Sequence, residues 1–357
     1  MTGDRRLSFL FFGSTADSVI VLRSLCHNAP ITCQAVITQP ARPVGRRGVV
    51  TPTPVEQWAK GEGTSVVTFD SDGDKPWLFA NEEDVVNTLQ TFKADFLVTA
   101  CFGQKIPLGL IGSTRFGGLN VHPSLLPHWR GADPVPWAIL AGDRETGVTI
   151  ATLSETFDTG RIIAQKKIAI TDTDTSGALR TKLFTLGADL LVAILPTYLS
   201  TGLSPSNHHT FKGGTLQGSY ARRLTRDDGF LPWELISSAI GGAPAKSMQP
   251  YGHIAIIRDF MHNNERWMDE TAMAVVIERF IRALSPWPGI WTLLRQVRLP
   301  AGQGYGGQAR EKRLKILACH VTPGTQRLTI DSVQLEGKQP VSYVQFAANY
   351  RSPSSPS

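Results

Sequence analysis

The sequence predicts an α/β chain in two parts: a doubly wound, Rossmann-like domain followed by a small β-barrel of OB type. Three observations predict it. Leu7–Phe12 is a continuous apolar run, followed by Gly13, Ser14 and Thr15 and a helical pattern through Leu25, which is how a doubly wound domain opens. Beyond residue 290 the chain turns to short strand-like runs separated by turns, which suits a small barrel. A length of 357 residues is enough for two ordinary domains, each with its own core.

Composition narrows the class. A hydrophobic content of 41% with 18% charged residues describes a soluble globular protein. No apolar run reaches membrane-spanning length, and Phe9–Phe12 is a buried strand by size. The opening Met-Thr-Gly-Asp-Arg-Arg is too short for a signal peptide before that strand begins, and its acid is a residue that transit peptides avoid. Cys26, Cys33, Cys101 and Cys319 show no C-x-x-C spacing; they read as reduced thiols, neither a metal site nor a disulfide framework. The net charge of +6 permits a polyanionic partner. Nothing in the chain demands more than a monomer, and no membrane partner is expected.

In order, Thr32–Thr38 is the second strand. The glycines after the first strand do not follow G-x-G-x-x-G, which disfavours a dinucleotide site. Gln39–Gly48 then sets Arg42, Arg46 and Arg47 among prolines and glycines. Arginines so placed do not enter a core, so this is either a solvated surface loop or a mobile basic loop that reaches phosphates. Val55–Lys60 starts a helix, Val66–Phe69 is a strand, and a helical stretch through Phe92 leads to the strand Phe96–Ala100. In the turn that follows, Gly103 allows close backbone approach to a ligand.

The stretch from Asn120 to Gly131 carries the chemistry. Leu119–His122 reads as a strand end entering a loop, and residues two apart in a strand share a face. Asn120 and His122 therefore point together beyond the strand. An amide holds a developing oxyanion, and an imidazole moves a proton or donates a hydrogen bond. The pair suits a reaction in which one substrate attacks another; the alternative is a satisfied histidine in an ordinary turn. Pro123 and Pro127 stiffen the backbone around Ser124, Leu125 and Leu126, a loop that offers apolar groups and amides to a flat ligand. Arg130 pairs with a carboxylate or phosphate, or anchors the loop. Ala138–Leu140 belongs to a helix, Gly147–Leu153 to a strand, and Asp158 to the loop after it, as an Asx-turn residue or as a partner for the imidazole. Arg161–Ile170 is a strand, and the helix Thr175–Leu199 closes the first domain.

Asn-x-His-Pro-Ser-Leu-Leu-Pro from Asn120, Trp129-Arg130-Gly131, Gly147–Ile150 and Asp158-Thr-Gly160 together resemble the formyltransferases that use 10-formyltetrahydrofolate as co-substrate. Tyr220-Ala-Arg-Arg-Leu and Pro286-Trp-Pro-Gly289 are similar to the methionyl-tRNA branch of that family; the resemblance covers about residues 7–230 and 275–295. It implies a catalytic trio of Asn120, His122 and Asp158, and a folate site of Phe102, Gly103, Ser124, Leu125, Leu126, Pro127 and Arg130. It also implies tRNA contacts from Arg42, Arg46 and Arg47 and, at the opening of the second domain, Arg222 and Arg223, with no metal.

The chain departs from the family pattern in places. Ala41 stands for an acid, Gly48-Val49-Val50 for lysines, Cys101-Phe102 for a tyrosine motif and Thr156-Phe157 for Gly-Leu. Asp133 replaces a small residue and is expected to ion-pair with Arg130 or to alter the acceptor pocket. Trp233 is followed by an insertion, about Ile236 to Thr271, that has no counterpart in the pattern.

The expected organisation is a catalytic domain over 1–203, a linker over 204–217 that includes His208-His209, an OB-like tRNA-binding domain over 218–350 and a disordered tail over 351–357. Strands are expected at Trp291–Leu293, Leu314–His320, Arg327–Leu335 and Val344–Phe346. From Val275 to Thr329 nine Lys or Arg face two Glu, so positive charge gathers on the second domain. The expected reaction is formyl transfer from 10-formyltetrahydrofolate to methionyl initiator tRNA. Formyl transfer to another small amine, hydrolysis of the formyl folate and an idle RNA-binding homologue are the other readings. The expected compartment is the mitochondrial matrix for a eukaryotic source and otherwise the bacterial cytoplasm.

Overall fold

In the computed structural model, which describes residues 6–45, 47–200, 218–263, 272–294 and 311–349, the first apolar run forms β1 (Ser8–Phe12), buried at every position. A strand buried on both faces belongs inside a covered, parallel sheet. Thr15 and Ser18 form a capping box that starts α1 (Ala16–Asn28), and the Ser18 hydroxyl donates to the Ala100 carbonyl at 2.6 Å. Then come β2 (Thr32–Thr38), a hairpin of β3 (Arg42–Val44) and β4 (Val49–Thr51), α2 (Pro54–Gly61), β5 (Ser65–Thr68), α3 (Glu82–Gln90), β6 (Phe96–Thr99), α4 (Leu108–Ser113) and β7 (Gly118–His122). After β8 (Arg130–Gly131) and α5 (Pro134–Ala141) follow β9 (Glu145–Thr152), β10 (Ile162–Ala169) and α6 (Ser176–Ser200).

The main sheet runs β10-β9-β7-β6-β1-β2-β5. Pairing is parallel from β7 to β5, while β9 and β10 join antiparallel at one edge. From β1 the chain winds first toward β5 and then back toward β7. The switch therefore lies between β1 and β6, and ligands of such sheets bind beyond the carboxyl ends of the strands there. Alternation along β1 sends Phe9 and Phe11 into one core and Leu10 and Phe12 into another, on opposite faces of the sheet.

α6 supplies Phe184, Ala188, Leu191, Leu195 and Tyr198 to the first core. It corrects one expectation. Although Arg180, Lys182 and Asp189 interrupt the apolar run, the 25-residue helix is long and apolar enough by length and composition to cross a membrane. Its apolar face instead packs on the sheet: a Cβ at Gly187 would strike Val121 and Val148. The basic segment after β2 is also corrected, from loop to hairpin. Gly45 and Gly48, at φ +73° and +60°, close a turn that lets Pro43 and Val44 pair with Val50 and Val49.

Two units divide the chain: Met1–Pro134, Glu145–Ala169 and Leu179–Arg222 form one, and Val135–Arg144, Ile170–Ala178 and Arg223–Ser357 the other. In the first, β11 (Tyr220–Ala221) pairs in parallel with β8. The second contains α7 (Trp233–Gly241), α8 (Ala255–Asn263), α9 (Met273–Ala283) and an antiparallel sheet of β12 (Ile290–Leu294), β13 (Lys312–Thr322), β14 (Arg327–Leu335) and β15 (Val341–Ser342). Antiparallel strands of this kind are consistent with the OB-like expectation. The strand expected at Val344–Phe346 is instead part of α10 (Tyr343–Asn349). The Ser342 hydroxyl accepts the Gln345 N–H at 3.2 Å as a cap, and Phe346 is buried while Val344 stays 79% exposed.

The insertion is folded where it is described. α7, a 3-10 turn over Ala245–Tyr251 and α8 bury Met248, Ile256, Ile257 and Phe260, and Phe260 meets Phe280 of α9 edge-on at 5.3 Å. Arg46, the linker over 204–217 with His208-His209, residues 264–271, the basic residues Arg295, Arg298 and Arg310, and the tail over 351–357 lie outside the described residues.

Candidate active site

At the carboxyl end of β7, Asn120 and His122 share a face, and Asp158 reaches them from the loop between β9 and β10. Asn120 stands opposite Thr99 of β6, whose hydroxyl donates to its Oδ1 at 2.7 Å. That contact leaves Asn120 Nδ2 to donate to Asp158 Oδ1 at 3.3 Å. His122 Nδ1 lies 3.3 Å from the same oxygen, and its Nε2 lies 3.0 Å from the Trp129 carbonyl. The second carboxylate oxygen accepts the Gly131 N–H at 2.9 Å. His122 and Asp158 are both nearly buried, with side chains 5% and 9% exposed. A carboxylate so far from water needs partners, and this one gathers an amide, an imidazole and a backbone N–H.

The backbone is strained around this cluster. Cys101, Trp129 and Asp158 are three of the five described non-glycine residues at positive φ, with values of +49°, +55° and +56°. Such conformations cost about 1–3 kcal/mol each and persist where the surroundings enforce them, which is typical of functional sites. Gly131, at φ +107°, belongs to the same group, and a Cβ there would strike the Ala221 carbonyl and the Tyr220 ring. Its N–H is thereby held on Asp158.

The loop after His122 is tied to the sheet edge. The Thr149 hydroxyl donates to Ser124 O at 2.6 Å and accepts the Leu126 N–H at 3.0 Å. Gln165 Nε2 donates to Leu126 O and to Thr149 Oγ1, both at 2.9 Å. Ser124 is fully buried and donates to the His128 carbonyl at 2.7 Å. Leu125 packs where a Cβ at Gly147 would strike it, and Leu126 is buried. Pro127 turns its carbonyl toward Gly218. Phe102 packs into the second core, with Phe12 at 5.4 Å, and Gly103 follows at φ +84°. Ser124, Leu126 and Phe102 are thus placed as supports of the loops rather than as open pocket walls. Arg130 keeps a buried Nε with no hydrogen-bond partner.

The pairing expected between Asp133 and Arg130 is corrected. Asp133 lies 4.0 Å from the guanidinium of Arg180 on α6, which also binds Asp17 of α1 at 2.6 Å. The turn at Gly131 redirects the chain, so nearness in sequence does not become a contact. Burial pushes the Cys101 thiol, 4.0 Å from Arg180, up to about 12.

Arg42 and Arg47 are exposed on the β3–β4 hairpin. That hairpin follows β2, so it leaves the same edge of the parallel sheet as Asn120 and His122. Arg222 directly follows β11, the partner strand of Arg130–Gly131, and Arg223 opens the second unit. Sequence reasoning missed Thr99, Thr149, Gln165 and the Gly131 N–H. For Thr99, Thr149 and Gln165 the signal was a polar residue at a strand position, and strand order is needed to know what it faces; a backbone N–H leaves no such signal. Among the described residues no three His, Cys, Asp or Glu side chains gather as a metal-ligand set.

Residues 5–195 match the family described as formyl transferase, and residues 261–351 match the formyl transferase C-terminal domain. The chain is 34% identical over 304 residues to a methionyl-tRNA formyltransferase of Enterococcus faecalis, covering 83% of this chain and 92% of that one. To a methionyl-tRNA formyltransferase of Halorhodospira halophila it is 31% identical over 348 residues, covering 96% and 94%. A solved 4-N formyltransferase from Francisella tularensis superposes with a TM-score of 0.50 at 13% identity over 80% of this chain and 92% of that one, a likeness of fold alone. The chain belongs to the formyl transferase family, alongside relatives that are methionyl-tRNA formyltransferases.

Proposed function

We propose that the chain transfers the formyl group of 10-formyltetrahydrofolate to the α-amine of methionyl initiator tRNA. The observation that carries this reading is the convergence of Asn120, His122 and Gly131 on Asp158. The amine attacks the formyl carbon, and its lone pair forms the new C–N bond as the carbonyl becomes an oxyanion. Asn120 Nδ2 donates its second N–H to that oxyanion, and His122, held through Nδ1, turns its Nε2–H to it from the Trp129 carbonyl. Asp158 orients His122 and, through water, accepts the proton the amine loses. Collapse of the intermediate breaks the bond to N10, which takes up the proton that Asp158 accepted, returned through the same water. The 3.3 Å contacts to Asp158 are long, and catalytic hydrogen bonds often tighten only around substrate.

The acceptor is supported by the names of the relatives and by the exposed arginines of the hairpin. Gly103, which admits close approach, and the stiff loop from Pro123 to Pro127 suit a flat pterin. The test is a single-turnover incubation with 10-formyltetrahydrofolate, with and without methionyl initiator tRNA. Folate consumption only with the charged tRNA, together with formylmethionine, is the expected result. Consumption without tRNA overturns it in favour of a hydrolase. Asn120→Ala and His122→Ala are each expected to slow transfer about 100-fold or more.

A further inference from the structure

In the C-terminal unit a cavity of about 310 Å³ is lined by the Thr225–Phe230 turn, by Ile254, Ala255 and Ile256 at the start of α8, and by Trp291 of β12. Phe230, Ile254, Ile256 and Trp291 make its walls apolar. The Phe230 and Trp291 rings are held 4.9 Å apart, and a backbone bridge joins the two residues. Asp228 is occupied within the turn, accepting the Thr225 N–H at 2.6 Å and its hydroxyl at 2.9 Å. Asp227 is the exposed carboxylate of the lining.

Cationic residues stand beside Trp291. The Arg313 guanidinium lies over the Trp291 ring at 4.1 Å. Lys315 is the direct cross-strand partner of Trp291, so its exposed side chain shares that face of the sheet. Arg226, also exposed, accepts the Trp291 indole N–H on its carbonyl at 3.3 Å.

Each feature selects against some occupants. The volume is at the lower end of the 300–1,000 Å³ range of small-molecule sites, room for one ring system. Aromatic and aliphatic walls favour a planar ring, and a carboxylate favours a ring that carries amino hydrogens. An apolar protein side chain would use neither the carboxylate nor the cations. A nucleobase with a phosphate on either side uses all three.

We propose that this cavity receives one unpaired nucleobase of an RNA, held against Phe230 and Trp291 with its amino group on Asp227, while Arg226, Arg313 and Lys315 meet the flanking phosphates. Three wall residues belong to the segment that the sequence marks as departing from the family pattern. The proposal rests on the tRNA reading above, and the experiment separates the two.

Ala255→Trp fills the cavity from an exposed position without removing a core side chain, and Asp227→Asn removes the charge at constant size. The full chain is titrated, with fluorescence anisotropy, into uncharged initiator tRNA transcript and a mixed-sequence single-stranded RNA decamer. Affinity is expected to fall about tenfold in Ala255→Trp and about threefold in Asp227→Asn, with far-UV circular dichroism unchanged; loss of one stacked base has this size. Agreement with wild type within twofold overturns the proposal and leaves a protein occupant, and so does a wild type that binds neither RNA. Formyl transfer to methionyl-tRNA is measured in parallel. Product formed by both proteins at one KM, with equal RNA affinity, removes the base cavity and keeps the transferase. A wild type that makes no product, while Ala255→Trp loses RNA affinity, removes the transferase and keeps the cavity.

Discussion

Asp158 organises its surroundings because one nearly buried carboxylate must satisfy two oxygens with whatever donors the fold brings near. Those donors are Asn120, His122 and the Gly131 N–H. Asp158→Asn keeps the shape and loses the charge, and is expected to lower kcat about 100-fold while KM for the formyl donor stays within threefold, read by steady-state kinetics. Gly131→Ala meets both a left-handed backbone and the Ala221 carbonyl. Its expected cost is about 1–3 kcal/mol in urea unfolding, with reduced turnover because the N–H on Asp158 shifts. The thiols separate by environment. A hydrogen bond from Cys33 lowers Cys26, while burial raises Cys101 to about 12 and raises Cys319 as well. Thiolates are the alkylated form, so iodoacetamide at pH 8 is expected to label Cys26 well before Cys101 or Cys319, as mapped by mass spectrometry.

Elements set where these residues stand. α6 crosses the sheet and ends with the Tyr198 hydroxyl donating to the Phe116 carbonyl at 2.6 Å, close to the start of β7. Burial raises that phenol to about 12. An unfolded tyrosine ionises near pH 10, so the contribution of Tyr198 is complete below pH 10 and is lost as pH rises toward 12. Tyr198→Phe is expected to cost about 1 kcal/mol at pH 8. It should also flatten the fall in stability between pH 9 and 11, measured by urea unfolding at both values. The strands of the first sheet were legible as apolar runs, because burial on both faces leaves β1 and β6 apolar except for Ser8 and Thr99 at their ends. The hairpin at Arg42–Thr51 was not, since its strands are only three residues each and mostly exposed. At the C-terminus Tyr343–Phe346 has the residue types of a strand, yet the cap from Ser342 makes it a helix.

Over the whole molecule the net charge is +6, with nine basic residues against two acidic ones between Val275 and Thr329. If these cations meet RNA phosphates, counterion release ties affinity to salt. KM for methionyl-tRNA is then expected to rise at least about tenfold between 50 and 200 mM KCl, while KM for the formyl donor changes less than twofold. A salt-independent KM would mean that the charge is only a solvated surface.

The sequence by itself determined the main strands of the first sheet and the Asn-x-His pair on one strand face, while Asp158 stood out only through the family resemblance. Periodicity and local motifs are properties of neighbouring residues. The tertiary structure alone decided which polar side chains meet. Thr99 reaches Asn120 because β6 lies beside β7, Gln165 reaches Leu126 because β10 folds back on β9, and Asp133 turns to Arg180 rather than to Arg130 three residues away. It also made the insertion part of a buried core and of an aromatic cavity, through Phe260 against Phe280 and Ile254–Ile256 beside Trp291. Such contacts depend on strand order and packing between segments far apart in the chain, and a linear pattern carries neither.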